Sequence, residues 1–305
     1  MQSQPAARSA PSARGVAAVL VSAASSQVGA AFGTQAFAAL SPLGVVAVRQ
    51  LVMALVLLPT VRPPLRTFTR RQWWPTLLLG VVFAAMNSCL YLAMDHLGLG
   101  LAVTLEFLGP LAVALGGSRT RADLVSGLGA AAGVYVLLLP GRSSDWPGIA
   151  FGLLAATCWA SYILLNRQVG RRLPGLQAPA TASLVSLVLT APVLVASVAQ
   201  HRPSGRVIVV AALAGLLSSL VPCVLDLLAL RRIRPNVFGV LVSVQPAFAA
   251  LAGLAFLGQA LRPHEWVGIA IVALVNAIAV RRRPVRQRRR PAGTPEPTLE
   301  ESVTA

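Results

Sequence analysis

The sequence predicts an all-α polytopic membrane protein with ten transmembrane helices in two inverted five-helix repeats. Hydrophobic residues make up 56% of the 305-residue chain and charged residues 11%, with a mean hydropathy of +0.72. This composition excludes a soluble globular domain. The apolar residues are grouped in ten runs, most of them about as long as a membrane-spanning helix requires. The last five runs also match the first five, which predicts the repeats.

Clusters of Arg, Pro and Gly separate the ten predicted spans. In chain order the spans cover residues 16–37, 43–61, 75–94, 97–117, 123–139, 146–165, 179–198, 207–230, 236–257 and 263–280. The first span follows Arg8 and Arg14, as in a signal peptide, but polar residues continue from Ser25 to Thr34 without a clear cleavage point. We interpret it as a helix that faces a cavity, with a cleaved signal peptide as the alternative.

The distribution of Arg predicts the orientation of the chain. The formal net charge is +17, which in a soluble protein would suggest nucleic-acid binding. Here 21 Arg residues fall on one side of the predicted spans, four fall on the other, and Arg49 lies within a span. Because basic residues near spans stay in the cytoplasm, both termini are predicted to be cytoplasmic, with no nucleic-acid partner. Residues 1–14 and 281–305 are the predicted tails, the second being Arg-rich and disordered.

An internal repeat is indicated when the second half is aligned on the first at an offset of 136 residues. The offset places Pro110 on Pro246, both predicted to break their helices, and the repeats cover residues 15–140 and 146–280. Each repeat holds an odd number of spans, so the second copy enters the membrane from the opposite side. Inverted repeats recur in secondary transporters, where the substrate site lies near the midplane between the halves.

Glu106 is the main candidate for binding a substrate or a proton, because ionisable residues inside spans are costly and usually functional. It lies near the middle of the fourth span, and Gly109 on the same helical face is expected to leave open space around it. Pro110 has no N–H, so the carbonyl of Glu106 loses its helical partner. This pattern favours an acceptor site for an ammonium group or a proton. A structural partnership with Arg49 is the alternative.

Asp226 and Arg49 are the other ionisable residues within spans, and we predict gating or ion-pairing roles for them. Asp226 follows Pro222, a third predicted helix break, and lies close to Arg231 and Arg232. A cytoplasmic ion pair or gate and a direct substrate contact are equally open for Asp226. Arg49 lies near the outer end of its span, which favours a structural or gating role over binding a carboxylate.

The remaining polar residues of the spans predict a cavity lining that is polar but weakly charged. They are Asn87, Tyr91, Trp159, Tyr162 and Gln245. Each is also a common packing or interhelical hydrogen-bonding residue. The three cysteines lack the spacing of a metal site and the three histidines lie far apart near outer loops, so no metal, cofactor or enzymatic activity is predicted.

Several segments resemble a known family. Residues 105–115, with the sequence LEFLGPLAVAL, form the most specific block. More general matches are residues 48–49, 158–160, 162–164, 222–226, 245–247 and 256–258. Together they resemble the EamA family of the drug/metabolite transporter superfamily, and within it the bacterial inner-membrane threonine and homoserine exporters, over nearly all of positions 15–280.

This resemblance implies ten spans with cytoplasmic termini in a bacterial inner membrane, two EamA repeats, and proton-driven export of small amino acids, which we expect to proceed by alternating access. Export of other small metabolites or drugs is the alternative, although only 6% of the residues are aromatic. The chain has Gln245 where the second repeat usually has Glu before Pro, and Gln259 where the ninth span usually ends in Leu-Gly-Glu. Since Gln cannot carry a proton, Glu106 and Asp226 are the only intramembrane carboxylates available for coupling. The oligomeric state is not predicted.

Overall fold

The computed structural model describes residues 12–116, 121–139, 145–173 and 175–281, and these ranges form ten apolar helices and one short 3₁₀ helix, Leu65–Thr67. In chain order the helices are α1 Ala13–Gln35, α2 Phe37–Val61, α3 Arg70–Leu97, α4 Leu99–Leu115, α5 Arg121–Leu137, α6 Trp146–Val169, α7 Gln177–His201, α8 Gly205–Leu230, α9 Pro235–Leu257 and α10 Pro263–Arg281. All of these except α4 and α5, which are shorter apolar helices, are long and apolar enough to cross a membrane. The predicted all-α polytopic class is therefore confirmed. Nearly all of both predicted tails lies outside the described residues.

The helix ends differ from the predicted span ends by a few residues, and the largest difference is at the start of α2. This helix begins at Phe37 rather than at residue 43, and it contains a kink at Ser41, whose φ is 59° and ψ is 158°. The kink lies directly before Pro42. Because a proline disfavours helical geometry in the residue before it, the first turn of α2 is set off from the remainder of the helix.

Three helices are interrupted close to the prolines that predict a break. Helix α4 is broken at Phe107, three residues before Pro110, and α9 is broken at Ser243 and Val244, just before Pro246. Helix α8 contains a π-helical turn over Leu216–Leu220, ahead of Pro222. A proline removes a hydrogen bond from the preceding turn and its ring crowds that turn, which accounts for interruptions on its N-terminal side.

The most extensive helix contacts form a pattern that is unchanged when the first five helices are exchanged for the last five. Helix α3 packs against α6 and α1 against α8, while α2 packs against α7, α4 against α9 and α5 against α10. The breaks in α4 and α9 also fall at positions 136 residues apart. Two equivalent halves would produce this arrangement, although the division into repeats at 15–140 and 146–280 remains a prediction.

Gly109 serves a close helix contact and does not create the open space expected around Glu106. A Cβ atom at this position would overlap the carbonyl oxygen of Ala156 on α6. The missing side chain therefore lets the backbones of α4 and α6 approach each other, as small residues commonly do between transmembrane helices. The space beside Glu106 comes from other helices.

Candidate functional site

A central cavity of about 520 Å³ lies among the helices and is lined by residues from α1 to α4 and from α6 to α9. Nine of the residues singled out in the sequence line it: Arg49, Asn87, Tyr91, Glu106, Trp159, Tyr162, Pro222, Asp226 and Gln245. Pro110 and Pro246 are not among the lining residues. They instead adjoin the breaks in the two helices that supply Glu106 and Gln245.

Glu106 is buried, with 6% of its surface exposed, and it ends the first segment of α4. The next residue, Phe107, meets Trp159 edge to face with ring centroids 4.7 Å apart. This contact and a hydrogen bond from Asn276 Nδ2 to the Phe107 carbonyl, at 3.2 Å, hold the break in place. No basic nitrogen among the described residues lies within 4.0 Å of the Glu106 carboxylate. The direct pair with Arg49 is therefore not formed in this structure.

Arg49 is also buried, with 5% of its surface exposed. Its Nη2 donates a hydrogen bond to Ser219 Oγ at 3.0 Å, and its guanidinium carbon lies 4.5 Å from the centre of the Tyr91 ring. Ser219 belongs to the π-helical turn of α8. Nε and Nη1 of Arg49 have no hydrogen-bond partner among the described residues, so two nitrogen atoms of a buried cation, with three N–H donors, are left unsatisfied.

Tyr91 belongs to a layer that separates the central cavity from a second cavity. We define this separating layer as Phe37, Tyr91 and Met94. The rings of Phe37 and Tyr91 are 5.6 Å apart, and Met94 lines both cavities. Gly33 makes room for Tyr91, since a Cβ there would lie 2.9 Å from the Tyr91 Oη atom. The layer is therefore tightly packed on the α1 side.

The second cavity, which we call the vestibule, has a volume of about 840 Å³ and a polar lining that includes His96, His201, Gln259 and Glu265. It lies at the ends of α1, α3, α7 and α9 that are remote from the Arg-rich loops. The vestibule and the central cavity thus lie on opposite sides of the separating layer. They are two separate cavities in this structure.

Two side chains at the vestibule stabilise helix starts. Gln259 Oε1 accepts a hydrogen bond from the backbone N–H of Leu99 at 3.0 Å, so it satisfies a free donor at the start of α4. Asp145 accepts from the Gly148 N–H at 3.1 Å and pairs with His96 Nδ1 at 2.9 Å. The backbone hydrogen bond, followed by that from His96, lowers the pKa of Asp145. The Gln259 side chain thus has a structural role at the start of α4, in addition to any effect that Gln in place of Glu has on proton coupling.

Asp226 lines the part of the central cavity that is farther from the separating layer, on the side of the α6–α7 and α8–α9 loops. Its Oδ1 accepts a hydrogen bond from Ser22 Oγ at 2.6 Å, and no basic nitrogen among the described residues lies within 4.0 Å of the carboxylate. The ion pair with Arg231 or Arg232 is therefore not formed in this structure. Asp226 is instead bound to α1 and open to the cavity.

Asn87 presents a hydrogen-bond acceptor to the cavity. Its Nδ2 donates to the Phe83 carbonyl one turn earlier, at 2.8 Å, and this bond fixes which side-chain atom is the oxygen. Gln245 faces Gln27 of α1, with 3.5 Å between Oε1 and Nε2. Sequence reasoning missed Ser22, Ser219 and Phe37, because a serine or phenylalanine within a span carries no signal of its neighbours.

The fold and the site define a class of protein: a polytopic membrane protein with a buried acid and a buried base around a central cavity, as in a small-molecule transporter. The EamA-like transporter family model matches residues 146–280. The chain is 35% identical to the threonine/homoserine exporter RhtA of Escherichia coli K12 over 259 residues, covering 84% of this chain and 88% of that protein. It is 33% identical to RhtA of Salmonella typhimurium SL1344 over 264 residues, covering 86% and 88%.

The chain belongs to the EamA family, and family membership makes it a membrane exporter of the drug/metabolite transporter superfamily rather than an enzyme. A solved structure described as "Crystal structure of protein" aligns with a TM-score of 0.56 and 17% identity, covering 86% of this chain and 96% of that one. This last similarity concerns the fold alone.

Proposed function

We propose that the protein exports small neutral amino acids such as threonine and homoserine across a bacterial inner membrane, by alternating access coupled to protons. The observation that carries the proposal is the central cavity, in which a buried carboxylate and a buried guanidinium face one space without pairing. A zwitterion offers an ammonium and a carboxylate to two such groups. The similarity to threonine/homoserine exporters extends over 84% of the chain.

Glu106 is the proposed partner of the substrate ammonium. When Glu106 is ionised it is a buried anionic acceptor, and charge-assisted hydrogen bonds are stronger than neutral ones. The substrate carboxylate needs donors, and Tyr91, Tyr162 and Arg49 supply them in the same cavity. Asn87, with its free oxygen, is placed to accept from the ammonium or from a side-chain hydroxyl.

The structure corresponds to an inward-facing state in this proposal. The central cavity reaches Gly175 and Leu176 in and after the α6–α7 loop, and Leu230 at the α8–α9 loop. These loops carry clusters of Arg, which the positive-inside rule assigns to the cytoplasm. The separating layer closes the other side. Rocking of two inverted repeats, 15–140 and 146–280, would then open the vestibule side and close the loop side.

Proton coupling is proposed to run through Glu106. Burial without a counter-ion penalises the charged form of a carboxyl group, so the group exchanges a proton when the substrate leaves. Protonation neutralises the carboxylate and releases the ammonium. One charge moving through about 150 mV supplies about 3.5 kcal/mol, enough for a gradient of about a few hundred-fold. Asp226 is the second intramembrane carboxylate and lies on the path from the cytoplasm.

The test is export of amino acids by cells loaded with dipeptides, with each released amino acid measured in deletion and overexpression strains. Wild type should export threonine or homoserine against their gradients, whereas Glu106→Gln should reduce this uphill export to the level of the deletion strain. Glu300→Gln, the same change outside the predicted spans, is the matched control and should retain export. Unimpaired uphill export by Glu106→Gln would contradict the mechanism. Resistance to drugs without any amino-acid release would instead favour the alternative substrate class.

A further inference from the structure

Arg49 is a buried cation whose hydrogen-bonding capacity is not met by the protein. Only Nη2 has a partner, the Ser219 hydroxyl at 3.0 Å, while Nε and Nη1 have none among the described residues. A buried charge without partners is strongly unfavourable, and buried polar groups that lack a partner call for an explanation. Arg49 lines the central cavity, so a ligand in that cavity could supply the missing acceptors.

The nearest protein acid does not fill this role. Glu106 lines the same cavity, yet its oxygens lie more than 4.0 Å from every guanidinium nitrogen. The two groups instead line one cavity of about 520 Å³, in which a molecule that carries both an ammonium and a carboxylate could contact both. The face of the Tyr91 ring lies 4.5 Å from the guanidinium carbon and stabilises the cation by a cation–π contact. This contact is not a hydrogen bond, so Nε and Nη1 of Arg49 still lack an acceptor.

We infer that Arg49 is the residue that binds the carboxylate of the transported substrate. This assignment rests on the proposed function and selects one of its three candidate donors. Arginine binds carboxylates through charge-assisted and often paired hydrogen bonds. A preferred substrate then carries a free carboxylate as well as an ammonium, so amides, esters and simple amines of the same size bind more weakly.

The two tyrosines are less suitable donors for that carboxylate. Tyr91 is 1% exposed, and its ring is enclosed by Arg49, Phe37 and Gly33. Tyr162 packs on Phe83, with ring centroids 5.7 Å apart, and on the apolar cluster beside the α6–α7 loop. It therefore lies toward the loop side of the cavity. Neither tyrosine carries a positive charge.

The test is competition for threonine binding by the full chain in lipid nanodiscs. Radiolabelled threonine is displaced by unlabelled threonine, by threoninamide, or by 1-amino-2-propanol, which lacks the carboxyl carbon altogether. Wild type should bind threonine at least about tenfold more tightly than threoninamide, the ratio expected when a hydrogen-bonded charge loses its partner. In Arg49→Gln the ratio should fall below about threefold, and Arg49→Lys should retain an intermediate ratio.

Arg206→Gln, the same change at an exposed position, is the matched control and should keep the wild-type ratio. Arg49→Lys keeps a cation at this position, so its intermediate ratio tests the assignment if Arg49→Gln does not fold. Equal displacement by threonine and threoninamide in the wild type would overturn the inference while leaving amino-acid export intact. A preference of about tenfold that survives in a folded Arg49→Gln would overturn it as well. If wild type binds no amino acid, the proposed function itself fails, and this assignment fails with it.

Discussion

Replacement of Gly33 by alanine tests whether the separating layer closes the central cavity through the packing of Tyr91. A Cβ atom at Gly33 would lie 2.9 Å from Tyr91 Oη and 3.0 Å from Tyr91 Cε1. Its three nearest atoms all belong to the Tyr91 side chain. Ordinary contacts begin near 3.4 Å, so the ring must move by about 0.5 Å or more. The shift disturbs the packing of Tyr91 on both Phe37 and Arg49.

The magnitude follows from the cost of overpacking, about 1–3 kcal/mol for a buried contact of this kind. If this strain is present only while the layer is closed, it shifts the equilibrium toward the state open to the vestibule by about 5- to 150-fold. A state that is rare in the wild type would then become readily detectable.

The assay uses Cys223, a native cysteine that lines the central cavity. With Cys89 and Cys158 replaced by alanine, a membrane-impermeant maleimide is added from the vestibule side of intact cells. Gly33→Ala should accelerate labelling of Cys223 from that side. Gly205→Ala, where no atom lies within 4 Å of the added Cβ, is the control. An unchanged labelling rate in a folded Gly33→Ala protein would refute the assignment of Tyr91 to the closed layer.

Two further predictions concern the helix that carries Glu106. Gly109→Ala should separate α4 from α6, because the new Cβ overlaps the Ala156 carbonyl, and should lower the free energy of unfolding by about 1–3 kcal/mol, measured by thermal unfolding in detergent. Gln259→Ala should cost about 1 kcal/mol, since the Leu99 N–H loses its partner at the start of α4.

Each of these has an internal control. Gly127→Ala places a Cβ in ordinary contact, 3.8 Å from Leu115 Cδ1, and should leave the unfolding temperature nearly unchanged. Gln259→Glu keeps an acceptor for the helix start and should restore most of the stability lost in Gln259→Ala. Equal destabilisation by Gly109→Ala and Gly127→Ala would contradict the close contact between α4 and α6, and failure of Gln259→Glu to rescue would contradict the capping role.

Much of the fold could be predicted because a membrane-spanning helix is a local structure. Its backbone hydrogen bonds are satisfied within the segment, so length, apolarity and punctuation by Arg, Pro and Gly locate each helix to within a few residues. The breaks in α4 and α9 were predictable for the same reason, since Pro110 and Pro246 act on the turns next to them. The charged residues Glu106, Arg49 and Asp226 were equally visible, because so few charges lie within the spans.

The sequence by itself therefore determined the number of helices, their approximate ends and the short set of polar residues available to a site. Only the tertiary structure decided which of these residues meet. Helices that are apolar on nearly every side carry little information about which face turns inward, and their rotation is set by contacts with helices distant in the chain. Those contacts bring Arg49 onto Tyr91 and Ser219 and leave it apart from Glu106. They also make Gly109 a packing contact and place Asp226 beside Ser22.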